Sequence, residues 1–173
     1  MGTGKLSNDS EGPGLPSRSW PLVYQGLRFK AMAQSTATAD RVSLTRRYHF
    51  AASHRLHTDQ LPEDENWKLY GKCNNPHGHG HNYIVYVTVS ERLDPKKGRT
   101  IDIDALDKVV HETVISRFDH RDLNGDPEFA TRVTTGENLV QFIWDLLVKR
   151  IPNGKLEKIG LVETRDNFFE YRG

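Results

Sequence analysis

"HNYIVYVTVSERL", His81 to Leu93, carries the strongest strand signal in the chain. Its β-branched and aromatic residues fall on both alternating faces, Tyr83, Val85, Val87 and Val89 on one and Ile84 and Tyr86 on the other. That pattern suits a strand held between two buried surfaces. Upstream, "RVSLTRRYHFAASHRL" (41–56) alternates and predicts a strand ending near Ala52, while "HTDQLPEDENWKLYGKCNNPHG" (57–78) is polar and turn-rich and reads as a long loop. Downstream, the turn chemistry of "LDPKKGR" predicts a short strand at Thr100 to Ile103, paired antiparallel with the long one.

Two helices follow. "DALDKVVHETVISRFDH" (104–120) places Leu106, Val109, Val110, Val114 and Phe118 at amphipathic spacing. Thr134 and Glu137 form a candidate capping box before Leu139, Ile143, Leu146 and Leu147. "KLEKIGLVET" and "NFFEYRG" predict a closing hairpin through Arg165 to Asn167. The order of elements defines an α+β domain: an antiparallel four-stranded sheet with two helices on one face. Its other face and its edges call for cover, which self-association would supply.

The first forty residues are rich in Gly, Ser, Pro and Thr, and are expected to be a disordered extension preceding a domain at 41–173, with Met32 as an alternative start. At 173 residues the chain is long enough for one globular core. Lys and Arg number 24 against 23 Asp and Glu, a net charge of +1 that offers no field for nucleic acid or an acidic membrane. A single cysteine cannot form an internal disulfide, and no apolar run suggests a membrane span or secretory signal. The expectation is a cytoplasmic protein with no nucleic-acid or membrane partner.

Chemistry concentrates in "YGKCNNPHGHGHNY", Tyr70 to Tyr83. Residues two apart on a strand share a face, so His79 and His81 can present both imidazoles to one point, and the flanking Gly78 and Gly80 leave room for an approaching ion. A third ligand must come from elsewhere; His54 is the leading choice, with His57, His49 and His77 as competitors. Three histidines with no fourth protein ligand describe an open catalytic zinc site, whereas Cys73 as a fourth would make a closed structural one. Beside Lys72 and a divalent cation, Cys73 is a usable general base or nucleophile. Asp119 and His120 form a second acid/base pair after the first helix.

At "ASHRL", "KLYGKCNNPHGHGHNY", the "DH" of 119–120, "TTGENL", "IWD" and "VETRDN" the sequence resembles the 6-pyruvoyl-tetrahydropterin synthase family, from about Val42 to Gly173. The resemblance implies His54, His79 and His81 as ligands of Zn2+ and Cys73 as catalytic base. It implies Asp119 and His120 as that base's partners from a neighbouring subunit, Glu163 as anchor of the pterin ring, and Glu137 and Thr135 as further pterin contacts. It also implies the tunnelling fold, in which three subunits close a β-barrel and two rings stack into a homohexamer. The activity implied is that of a carbon–oxygen lyase acting on phosphates, converting 7,8-dihydroneopterin triphosphate to 6-pyruvoyl-tetrahydropterin and triphosphate in tetrahydrobiopterin-type synthesis. Such an internal redistribution of electrons consumes no redox cofactor, and the sequence has no G-x-G-x-x-G or P-loop.

Two departures stand out: Gly136 where animal members usually carry threonine, and His77 where they commonly have asparagine. The alternatives are the related 6-carboxy-tetrahydropterin synthase of 7-deazaguanine synthesis, and a non-catalytic module built on a structural His3Cys zinc.

Overall fold

The computed structural model describes residues 41–173; the expected N-terminal extension lies outside the described residues. β1 (Arg41–His54) and β2 (His79–Arg92) form the long antiparallel ladder of the sheet, in register from Arg41 opposite Arg92 to His54 opposite His79. β1 runs two residues beyond the expected end at Ala52, so His54 closes the ladder rather than following it. β3 (Arg121–Asp122) lies parallel to Ala52 and Ser53. β4 (Lys155–Val162) pairs antiparallel with β2 and is followed by β5 (Phe168–Tyr171), the hairpin expected from the sequence.

The sheet therefore has five strands, not four, in the order β3-β1-β2-β4-β5. The addition is β3, whose two exposed polar residues carry no alternation to detect. In one chain the sheet is open, with β3 and β5 at its edges. The strand expected at Thr100 to Ile103 does not form; a lone bridge joins Asp94 and Arg99. Asp102 instead accepts from the backbone N–H of Ala105 at 3.1 Å and starts α2 (Ile103–Val110), while Ile101 is buried in the core.

The long loop also holds more order than expected. α1 (Glu63–Tyr70) follows Pro62, and a one-turn 3-10 helix covers Gly71–Asn74. No apolar stripe announces α1, because Trp67 and Leu69 are exposed. Its start is held by the buried Asn66, whose amide donates to the carbonyls of Thr58, Leu61 and Pro62 and accepts from Thr58 N–H at 3.0 Å. The first expected helix is interrupted by a π-turn over His111–Ile115 before α3 (Ser116–Phe118). Thr113 Oγ1 bonds back to Val109 O at 2.7 Å and Ser116 Oγ to His111 O at 2.8 Å, side-chain bonds that compete with the regular ladder. α4 (Gly136–Leu147) is capped by Thr135, which accepts from Asn138 N–H at 3.4 Å; the box expected from Thr134 and Glu137 does not form, and the Asn138 amide donates to Val133 O instead.

The core decides where the site falls. Tyr48, Phe50 and Ala52 on β1 and Tyr83, Val85, Val87 and Val89 on β2 face the helices and are buried with Leu106, Val114, Phe118, Leu139 and Ile143. His54, His81 and His79 continue the same two columns by the period of two. Past the last apolar pair, the core-facing side of the sheet becomes imidazole.

Candidate metal centre and active site

His54 and His79 are opposed across the ladder, and His81, opposite Ala52, is one step inward on the same face. Their ligand atoms all lie within 4.8 Å of one another, and among the described residues no cysteine or carboxylate belongs to this cluster. The Nε2 atoms of His54 and His79 are 3.1 Å apart. Two nitrogens on a tetrahedral zinc at the usual bond lengths would be separated by about 3.3 Å.

The surroundings set the state of the rings. His54 is 1% exposed, and its Nδ1 lies 2.8 Å from the carbonyl of Thr134. A carbonyl only accepts, so Nδ1 carries the proton and Nε2 offers its lone pair to the cluster. Burial lowers the pKa of His54, reinforced by His79 and His81 against the Thr134 carbonyl and Glu163. His79 is lowered by burial, then by His81 and Lys72, with Glu163 opposing. Both fall toward the neutral form that binds metal. Nδ1 of His79 is buried with no hydrogen-bond partner among the described residues. The fit to a cation lies at the other nitrogen, where His79 Nε2 and the His54 Nε2 lone pair face each other at close to the separation of two ligands on one ion.

These imidazoles open onto a cavity of about 600 Å³ that is also lined by Lys72, Cys73, Glu163, Thr164 and Asp166. Cys73 is half-buried in the 3-10 turn, and its carbonyl accepts from Leu56 N–H at 2.9 Å. Glu163 Oε1 stands 3.8 Å from His54 Nε2 and 3.4 Å from the Tyr83 hydroxyl, which donates to it. The Tyr83 hydroxyl is held protonated by burial and by that carboxylate.

Other sequence-predicted residues lie apart. Asp119 accepts from Ala51 N–H at 2.9 Å and faces His120 Nδ1 at 3.0 Å; the Ala51 bond, then His120, lowers its pKa. His120 has φ of 57°, a conformation that costs about 1–3 kcal/mol outside glycine. Its N–H donates to Ala51 O at 2.6 Å, and its ring is 82% exposed. His120 lines a separate hollow with His81 and Asn82, and the Cys73 cavity does not include it. Thr135 and Glu137 sit at the start of α4, Glu137 exposed, and neither lines the Cys73 cavity.

Of the competing histidines, His77 and His49 are exposed, and His57 Nδ1 bonds to Asn74 Oδ1 at 2.9 Å; none joins the cluster. Gly136 is explained by Phe169, whose ring occupies the space that a Cβ at that position would need. Sequence reasoning missed Thr134, which acts through its backbone carbonyl, and Tyr83, which reads as an ordinary core aromatic.

Fold and site together define an α+β domain with a three-histidine cluster able to hold a metal ion at the end of its main β-ladder. A family model described as 6-pyruvoyl tetrahydropterin synthase matches residues 43–173. The human 6-pyruvoyl tetrahydrobiopterin synthase is 45% identical over 134 residues, 77% of this chain and 92% of that protein. The Drosophila melanogaster protein of the same name is 42% identical, covering 75% and 79%. The solved structure of the Caenorhabditis elegans 6-pyruvoyl tetrahydropterin synthase superposes with a TM-score of 0.74 at 36% identity, over 78% of this chain and 97% of that one. The chain belongs to the 6-pyruvoyl tetrahydropterin synthase family.

Proposed function

We propose that this protein is a cytoplasmic zinc-dependent lyase that converts 7,8-dihydroneopterin triphosphate to 6-pyruvoyl-tetrahydropterin with release of triphosphate. The observation that carries this reading is the shared cavity of His54, His79, His81, Cys73 and Glu163, in a chain whose curated relatives bear that name. When bound at the three histidines, zinc supplies Lewis-acid polarisation of the substrate's side-chain hydroxyls. Thr134 holds His54 in the ligating tautomer. Cys73, on the cavity wall, takes and returns carbon-bound protons, so bonds rearrange within the pterin and no external oxidant is needed.

Asp119 orients and supports His120, and their exposed position suits a pair that serves the Cys73 of an adjoining subunit. This is the arrangement of a barrel closed by three subunits and stacked into a hexamer, with each site at a boundary between chains. Glu163, on the cavity wall with Cys73, is the carboxylate that faces the amide edge of the pterin ring, with Glu137 and Thr135 as further pterin contacts. A carboxylate facing the ring's paired N–H groups gains roughly 1.5–3 kcal/mol per charge-assisted bond.

The test is incubation of the zinc-loaded protein with 7,8-dihydroneopterin triphosphate and identification of the products by mass. Pyruvoyl-tetrahydropterin and triphosphate support the reading. A carboxy-tetrahydropterin with loss of a two-carbon fragment would assign the related activity, and no turnover with zinc retained would favour a non-catalytic module.

A further inference from the structure

The turn that carries Cys73 is joined to the metal-bearing strand through its neighbour. Asn74 is fully buried (0% exposed), and its amide is bonded on both sides. Oδ1 accepts from Nδ1 of His57 at 2.9 Å, and Nδ2 donates to Oε1 of Glu63 at 3.3 Å. Glu63 is a carboxylate and can only accept, which fixes the amide's orientation and makes His57 the donor at Nδ1. The Asn74 carbonyl accepts from Nε of Arg55 at 2.9 Å, and Arg55 also lies 3.6 Å from Glu63. One residue thus ties three segments together: the exit of β1 just after His54, the first turn of α1, and the turn holding Cys73. Around it the turn is held by backbone bonds, Leu56 N–H to Cys73 O at 2.9 Å and Asn75 N–H to Lys72 O at 3.3 Å, while the side chains of Lys72, Asn75 and Pro76 are exposed.

We infer that Asn74 is the positioning residue of Cys73, holding the thiol at a set distance from the three histidines. The inference rests on the reading of Cys73 as the proton-transfer group. Asn74→Asp preserves shape and the acceptor for His57 but turns the donor that faces Glu63 into a second carboxylate. Adding Glu63→Gln restores the bond with donor and acceptor exchanged, because the new amide can donate to the new carboxylate.

The experiment compares wild type, Asn74→Ala, Asn74→Asp and the Asn74→Asp/Glu63→Gln double variant as full chains loaded with zinc. It measures kcat, KM, zinc content and the pH profile of Cys73 alkylation by iodoacetamide. The expected result for Asn74→Asp is a kcat lower by about tenfold or more, with KM and zinc content held within about twofold and the alkylation profile displaced. The double variant should recover both kcat and the profile. The inference is overturned if both single variants keep kcat and the profile of wild type, or if the double variant recovers nothing, including the case in which it fails to fold. Should wild type not turn over the pterin triphosphate, the activity reading fails by itself. The alkylation profile, which needs no substrate, still decides the role of Asn74.

Discussion

His54 and His79 are direct partners on the last rung of the β1–β2 ladder, and their Nε2 atoms meet 3.1 Å apart. Neither residue's neighbours in sequence announce the other. The register of two fourteen-residue strands brings them together.

The isolated protein should hold one zinc per chain, and His54→Ala, His79→Ala or His81→Ala should each release it, as read by metal analysis after dialysis. His77→Ala should retain it, because His77 is exposed and outside the cluster. A His77→Ala protein without zinc, beside a His54→Ala protein that keeps it, would show that the ligand set is misassigned.

Metal-free protein should lose stability as the solution is acidified. The fold lowers the pKa of His54 and His79, so the unfolded chain, with histidines near about 6.5, binds protons first as pH falls. Stability is therefore full above about 6.5 and declines as pH drops from there through the lower folded values. Urea midpoints measured across this range should show the slope, and His54→Gln should flatten it. An equal slope in the variant would place the effect elsewhere.

Gly136→Thr should destabilise the protein by about 1–3 kcal/mol, since a side chain there meets the Phe169 ring. Phe169→Ala in the same background should recover part of the loss by vacating that space. Unchanged urea midpoints in Gly136→Thr would mean that the ring swings aside at no cost.

Cys73 and His120 open onto different hollows of one chain, so if both serve one site they belong to different subunits. Cys73→Ala and His120→Ala should each abolish turnover while keeping zinc. Refolded together, they should recover on the order of a quarter of wild-type activity, since random mixing pairs some intact Cys73 with intact His120. Mixing without dissociation should give none. No recovery after verified subunit exchange would place the site within a single chain.

The helix-facing residues of β2, the two amphipathic stripes and the closing hairpin were legible in the sequence, because each buries a periodic set of apolar side chains and burial leaves a period. The pairing of His79 and His81 was legible for the same reason: spacing of two on a strand fixes a common face. Short elements left no such trace. α1 and β3 are held by polar side chains and by pairing to a distant strand, as when Asn66 gathers three carbonyls, and neither needs an apolar pattern.

Residue order alone was therefore enough to establish the class of fold, the motif set of the family, and the chemical kinds of group at the site. It took the folded chain to show that His54 is the third ring of the cluster, that Thr134 sets its tautomer, that Glu163 stands beside the three histidines, and that Asn74 is bonded on both sides. Those relations join residues separated by up to 109 positions, as in His54 and Glu163, through strand register and backbone carbonyls. A carbonyl has no residue identity, and a register exists only once two strands have paired.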